Sequence, residues 1–179
     1  MPLHKKNLSY PGCWAYPDML QVGCQHGPGG PADPGLSIAE TRTHFGAWAI
    51  VSSPLTLSHD VNNDTVTEQI WDIISNTEVL AVNQAYFGDS GGQYAESKTK
   101  LTFTDAFIEQ SNGKEEVVTA SSWQLLYKPV GNDKVAVLAM NSDTTTQAID
   151  VTFADVPGTL PRSTITWAVF SQRFAPPDE

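Results

Sequence analysis

The sequence has few of the features that mark membrane, nucleic-acid-binding or nucleotide-binding proteins. No apolar run approaches the roughly 18 residues that span a bilayer, so no membrane span is predicted. Only 10 lysines and arginines stand against 20 aspartates and glutamates, and the net charge of -10 argues against nucleic acid as a partner. The piece GPGGP is interrupted by prolines, which lack the N–H groups that a bound phosphate needs. We therefore expect a globular protein whose ligand is neutral or cationic.

Cysteine and histidine are also scarce. The two cysteines, Cys13 and Cys24, could close one disulfide in an oxidising compartment or remain two unrelated thiols, and the sequence leaves both open. The four histidines show no metal-ligand spacing, so neither a metal nor another cofactor is predicted. Two Asn-X-Ser/Thr triplets, at Asn7 and Asn63, are compatible with glycosylation. The N-terminus carries lysines without a following apolar segment and does not resemble a signal peptide.

The first half of the chain has the alternating pattern of an α/β protein. Residues 24–35 are too rich in glycine and proline for regular structure and predict a surface loop. A helix should follow from Ser37 to about Val51, because Ser37 and Glu40 have the spacing of a capping box. Its buried side is predicted to contain Ile38, Phe45, Trp48 and Ala49.

A strand and a second helix are predicted next. Residues 54–58 form a short apolar run opened by proline, which is typical of a strand buried on both faces. Thr65 and Glu68 repeat the capping-box spacing and predict a helix that starts near Thr65. Its apolar face should contain Ile70, Trp71, Ile73 and Ile74.

The second half alternates with the period of two that is typical of strands. The change falls near the Gly/Ser-rich piece GDSGGQ, where we place a domain boundary. Residues 134–141 and 147–156 predict a hairpin joined by NSDTTT. With TKLTFTDAFI, SSWQLLYKPV and STITWAVF as further strands, this half is predicted to be an antiparallel β-sandwich.

The stretch CWAYPDML holds the chemistry of greatest interest. Trp14 and Tyr16 offer flat apolar rings that can lie against a sugar, and Asp18 can accept hydrogen bonds from its hydroxyls. On pattern alone, however, aromatic residues beside a proline more often anchor a loop. Hydrolysis of a glycoside also needs two carboxyl groups, and this motif supplies one.

Several consecutive blocks are similar to the α-galactosidases of glycoside hydrolase family 27, the melibiases. PGCWAYPDMLQVG resembles the family's Trp-X-X-Pro-Asp-Met-Leu-X-X-Gly segment, and LSIAETRTHFGAWAIVSSPLTLSHDV resembles its next helix and strand. IISNTEVLAVNQAYFG resembles the family's ILSN-KEVIAVNQDPLG, and residues 124–158 resemble its later strands. The blocks keep the family's order over about residues 10 to 158, which makes the resemblance specific.

The resemblance implies a (β/α)8 TIM barrel followed by an antiparallel β-sandwich, and hydrolysis of terminal α-linked galactose with retention. Residues 1–90 would then be the last βα units of an incomplete barrel, and residues 91–179 the sandwich. Asp18 and Met19 match family positions that line the galactose pocket, and Trp14 would be a wall or support of that loop. The implied location is extracellular, lysosomal or vacuolar.

The implied partners are a galactose-containing oligosaccharide or glycoconjugate, and either the missing barrel segment or a second copy of the chain. The family's nucleophile and acid/base aspartates precede the Pro-Asp-Met block, so we expect neither within these residues and predict that the chain alone is inactive. The sequence also departs from the family at Ala15 and Tyr16 and at residues 85–87. The alternative is that the β-rich half is a non-catalytic module for binding or assembly.

Overall fold

The computed structural model describes residues 9–27, 30–104, 117–131 and 133–158, in which helices precede antiparallel strands. The first half contains β1 (His26–Gly27), β2 (Gly30–Pro34), α1 (Ile38–Ile50), α2 (Asp64–Ile74) and α3 (Thr77–Gln84). The second half contains β3 (Gly92–Glu96), β4 (Lys100–Thr104), β5 (Val117–Ser121), β6 (Trp123–Gly131) and β7 (Lys134–Asn141). Every helix in the described ranges is too short or too polar to span a bilayer.

Helix α1 begins as its sequence predicts. Ser37 Oγ accepts the backbone N–H of Glu40, and the Glu40 carboxylate accepts the backbone N–H of Ser37, which completes the capping box. Phe45 and Ala49 are buried as expected, and Trp48 packs against the core. Ile38 is exposed, so its predicted burial is wrong: it is the first residue of the helix and lies at the end of the apolar stripe.

Helix α2 begins earlier than its sequence predicts. The cap is Asn63, whose Oδ1 accepts the N–H of Val66 at 3.2 Å, while Thr65 lies inside the first turn. Ile70 and Ile73 are buried as predicted, but Trp71 is 58% exposed and does not belong to the core face. The buried stripe of α2 contains Ile70 and Ile73, which are three residues apart, and Trp71 lies beside that stripe.

Helix α3 is absent from the sequence prediction. Asn76 caps it by accepting the N–H groups of Glu78 and Val79. It has only eight residues, and none of them is fully buried. Its apolar periodicity is weak, which gave the sequence little signal for a helix. Val79 and Leu80 nevertheless pack against the core formed by Leu20, Val22, Phe45, Ile70 and Ile73.

The predicted strand at residues 54–58 is an extended segment with a single parallel bridge, between Leu57 and Leu20. Leu20 N–H donates to Thr56 O at 2.8 Å. Leu57 is exposed, so burial on both faces is wrong. Burial on both faces needs elements packed above and below the segment, and the exposure of Leu57 shows that this is not so on its side among the described residues.

Residues 24–35, predicted as an irregular loop, contain a small antiparallel hairpin. Strand β1 pairs with β2 through His26 and Pro34, with an irregular register toward Gly27 and Gly30. A proline can close the edge of such a ribbon because no N–H is needed there.

The second half contains a three-stranded sheet in the order β3-β6-β7 and a two-stranded β4–β5 sheet, all antiparallel. The predicted strand at residues 134–141 is confirmed as β7. Its predicted partner is wrong, because β7 pairs with β6 and residues 147–151 have no regular structure.

Asp143 holds residues 143–147 together through Thr145 and Gln147, and Phe153–Asp155 is a turn of 3-10 helix. The predicted strand STITWAVF lies outside the described residues.

Candidate functional site

The segment of residues 17–21, which we name the pocket loop, is held at its C-terminal end by the core. Leu20 has no exposed surface, and its backbone N–H donates to Thr56 O at 2.8 Å. The Leu20 carbonyl in turn accepts the hydroxyl of Ser58. An apolar anchor with both backbone groups satisfied fixes this end of the loop, and the residues just before it face solvent.

Asp18 and Met19 are exposed residues of the pocket loop, as is Pro17. Asp18 has a φ of 134°, in the region that favours glycine, and its Oδ1 accepts the N–H of Met19 at 2.7 Å. Met19 is 50% exposed. Non-glycine residues keep such backbone conformations where surrounding contacts impose them, often at functional sites.

Two residues of α1, Trp48 and His44, hold the pocket loop by hydrogen bonds to its backbone. Trp48 Nε1–H donates to the carbonyl of Asp18 at 2.9 Å, and Gln21 N–H donates to His44 Nε2 at 3.1 Å. The rings of His44 and Trp48 lie 3.9 Å apart between centroids, tilted by 39°. Residues four apart on a helix lie on the same face, so one turn of α1 contacts both ends of the loop.

The electrostatic state of His44 follows from this geometry. Burial lowers the pKa of His44 below its usual value, which favours the neutral ring. Its Nε2 can accept the Gln21 N–H only when it carries no proton, so the proton of the neutral ring sits on Nδ1. The contact and the lowered pKa therefore agree.

The pocket loop and α1 form part of the wall of a cavity of about 440 Å³. Its lining contains one carboxylate, a thioether, an indole and two imidazoles: Pro17, Asp18, Met19, Gln21, Cys24, His26, Gly27, His44, Trp48 and Ser58. Such a site can accept hydroxyl hydrogen bonds at Asp18 and pack apolar C–H groups on Met19 and the rings. Asp18 is the one carboxylate among the described residues that line it.

A second cavity, of about 240 Å³, is chemically poorer. None of the described residues that line it is a carboxylate, a histidine or an aromatic residue. They are Gly23, Cys24, Gln25, Gly35, Leu36, Ile38, Thr41, Val66, Gln69 and Ile70. We therefore take the larger cavity as the candidate site.

The aromatic residues of the CWAYPDML motif do not line the larger cavity. Trp14 packs edge-on against Tyr86, with ring centroids 5.7 Å apart, and Tyr16 is exposed. The N–H of Ala15 donates to Ser9 Oγ at 3.1 Å. The structure thus places Trp14 beside the loop and Asp18 and Met19 in the cavity wall.

The possible disulfide between Cys13 and Cys24 does not form in this structure. Both thiols are free, and Cys24 Sγ lies 3.2 Å from Ser58 Oγ in the cavity wall. Eleven positions separate the two cysteines in sequence. The loop between them is held by the contacts of Leu20 and Trp48, and these contacts do not bring the two thiols together. Of the two glycosylation triplets, Asn7 lies outside the described residues, and Asn63 is the cap of α2.

Sequence reasoning missed the support of the pocket loop. His44 had no assigned role and Trp48 was expected only to be buried, yet both contact the loop directly. The available signal was their spacing of four on one face of a predicted helix. Which loop such a face contacts depends on tertiary structure.

Comparison with known proteins identifies relatives over part of the chain. Residues 4–85 match the family model described as alpha galactosidase A. An α-galactosidase of Oryza sativa subsp. japonica is 42% identical over 81 residues, which are 45% of this chain and 17% of that protein. An α-galactosidase of Cyamopsis tetragonoloba is 28% identical over 148 residues, 82% of this chain and 27% of that protein. The chain thus spans well under a third of either relative's length.

A solved structure supports the same relationship at the level of fold. The α-galactosidase of Saccharomyces cerevisiae matches 80% of this chain and 26% of its own, with a TM-score of 0.56 and 23% identity. Residues 4–85 are thus similar to the alpha galactosidase A family, and the chain as a whole resembles part of the α-galactosidases.

Proposed function

We propose that this chain supplies one wall of the galactose pocket of a retaining α-galactosidase, a glycoside hydrolase that removes terminal α-linked galactose. The observation that carries the proposal is the pairing of Asp18 and Met19 in the wall of the larger cavity. The Asp18 carboxylate would accept sugar hydroxyls, and Met19 would pack on the apolar face of the ring. Trp14 would support the loop from outside through Tyr86.

The proposed architecture is the C-terminal end of a TIM barrel, residues 1–90, followed by an accessory antiparallel β-sandwich, residues 91–179. The parallel bridge between Leu20 and Leu57 supports it, because α1 connects the two bridged segments. Two parallel segments joined by a helix are the repeating unit of such a barrel. The exposed side of residues 54–58 is where further barrel strands would pair. An extracellular, lysosomal or vacuolar location goes with this proposal, as does glycosylation at Asn7 and Asn63.

The chemistry would need carboxylates beyond those of this cavity. In a retaining glycosidase one carboxylate attacks the sugar and a second acts as acid and then as base, about 5 to 5.5 Å away. Asp18 is held by the Met19 N–H and would bind the sugar. We expect the 179 residues alone to leave an aryl α-galactoside unhydrolysed. Turnover that Asp18→Asn abolishes would contradict this division of roles.

Binding can be tested without catalysis. Galactose should raise the melting temperature of the 179-residue protein, because a ligand that binds only the folded state stabilises it. Asp18→Asn should remove that shift, because it removes the carboxylate that would bind the sugar. The amide keeps the size of the side chain and can still accept the Met19 N–H, so the loop itself is preserved. Asp72→Asn, an equal loss of charge at an exposed position of α2, should keep it. An equal shift in both variants would contradict the assignment of Asp18.

A non-catalytic module remains the second proposal, since β6 has a run of buried residues that could form a core of its own. These are Leu125, Leu126, Tyr127 and Lys128. Helix α1, however, packs on this sheet, with Gly46 close to Leu138. Limited proteolysis separates the two proposals. Protection of the β-rich half alone, together with no galactose shift, would favour the module.

A further inference from the structure

The pocket loop is held by two hydrogen bonds whose groups both come from α1. Trp48 donates to the Asp18 carbonyl, and His44 accepts from the Gln21 N–H, so the two contacts flank Met19 and Leu20. The two rings lie against each other, with centroids 3.9 Å apart and a tilt of 39°, which links the two contacts. A change in one ring therefore changes the support of the other.

The Trp48 contact acts on the backbone of Asp18 itself. With φ at 134°, Asp18 has a conformation that few non-glycine residues adopt, and the indole N–H fixes the carbonyl of that residue. The direction of the carboxylate depends on this backbone, because its Oδ1 is bound to the next N–H. Trp48 thereby orients the carboxylate through the backbone of Asp18.

The His44 contact depends on the protonation state of the ring. A protonated imidazole has two N–H donors, so Nε2 would meet the Gln21 N–H as donor against donor. The other titratable groups that line this cavity with His44 are Asp18, Cys24 and His26. Burial of the ring and the Gln21 N–H both oppose the cation.

We propose that Trp48 and His44 are positioning residues that orient Asp18 and Met19 for galactose, and that they do so only while His44 is neutral. This proposal rests on the proposed function for its ligand, and it adds a dependence of the pocket on pH. Galactose affinity should fall in acidic solution, below the usual pKa of histidine, as His44 gains a proton. The affinity should be restored on return to neutral pH.

The state of the support can be measured without any sugar. In the 179-residue protein, nitrogen NMR of the imidazoles should show His44 Nε2 without a proton at pH 7. Trp48→Phe keeps an aromatic ring but loses the indole N–H, so the amide signals of Asp18 and Met19 should move. A protonated Nε2 at pH 7, or unchanged amide signals in Trp48→Phe, would overturn the proposal.

The dependence on pH is measured by galactose titration from pH 7 downward, over the acidic range in which the protein stays folded. Affinity of the unaltered protein should fall by up to about tenfold for each pH unit below the pKa of His44. His44→Gln keeps an acceptor that does not titrate, so its affinity should stay constant over this range. His59→Gln, the control, changes a histidine that does not line the cavity and should follow the unaltered protein.

The result that overturns the proposal is a His44→Gln affinity that falls with pH as the affinity of the unaltered protein does. If galactose affects neither Asp18 nor Met19 at any pH, the proposed function fails. The imidazole state and the Trp48→Phe amide signals then decide the positioning proposal separately.

Discussion

At the scale of single residues, Lys128 is the most unusual side chain outside the cavity. It lies on β6 with no exposed surface, and its Nζ donates to the carbonyl of Asn83 at 2.7 Å. Asn83 lies in the last turn of α3, where unpaired carbonyls attract a cation. Burial nevertheless lowers the pKa of Lys128 to about 8. The folded state therefore carries this charge at a cost.

The lowered pKa of Lys128 predicts that stability increases with pH over a defined window. Between about pH 8, where the folded lysine loses its proton, and the usual pKa of about 10.4, the unfolded state binds more protons. The free energy of unfolding should rise from pH 8 to pH 10, by about 1.4 kcal/mol for each pH unit at most. Urea titrations at several pH values measure this slope.

The slope has a matched control. Lys128→Met should flatten it, and Lys134→Met, at an exposed position of β7, should keep it. The window ends near pH 10 because burial raises the pKa of Tyr94 and Tyr127, which reverses the effect above that pH. A slope that survives in Lys128→Met would show that another group is responsible.

At the scale of elements, the helix caps separate what the sequence could predict from what it could not. The capping box of α1 was predicted because both of its residues are local in sequence. The start of α2 was misplaced because Asn63 and Thr65 are both good caps and only Thr65 has a glutamate three residues later. Local preference cannot decide between two such residues when packing of Ile70 and Ile73 fixes the helix.

The two candidate caps of α2 can be compared directly. Asn63→Ala should lower the free energy of unfolding by about 1 kcal/mol, because the Val66 N–H loses its acceptor. Thr65→Ala should change it by less than about 0.5 kcal/mol, since this exposed residue lies within the helix. Chemical denaturation of both variants decides the cap. A larger loss in Thr65→Ala would support the start predicted from sequence.

At the scale of the whole molecule, the helices and the sheet meet at a polar junction. Asn83 Nδ2–H donates to Ser53 O, Ser52 Oγ donates to Ser90 O, and Lys128 donates to Asn83 O. These bonds join residues 30 to 45 positions apart. Sequence predicted a change of structure near this point from glycine content and the change of period, but contacts over such separations have no local signature. For the same reason the partner of β7 was mispredicted although its bounds were correct.

Gly91 lies at the centre of this junction. Its φ is +87°, and a Cβ there would stand 2.0 Å from Ile50 O and 2.9 Å from Tyr127 O. Gly88 has a similar φ of +82° with nothing within 4 Å. Gly88→Ala should therefore cost only the backbone penalty, about 1 to 2 kcal/mol. Gly91→Ala should cost more than about 3 kcal/mol, because backbone must also move apart.

Thermal or chemical unfolding of the two glycine variants tests whether the halves are held together here. Equal losses in Gly88→Ala and Gly91→Ala would mean that the close contact with Ile50 does not form in solution. A single cooperative transition in the unaltered protein is also expected, since α1 and the sheet share this contact.

The central claim is that the pocket loop binds galactose through Asp18 and Met19, and an NMR titration of the 179-residue protein with galactose tests it most directly. We predict saturable shifts at the amides of Asp18 and Met19 and at the indole N–H of Trp48, no such shifts with glucose at equal concentration, and their loss in Asp18→Asn. Saturable shifts confined to residues outside the pocket loop, or no shifts at the highest galactose concentration, would contradict it.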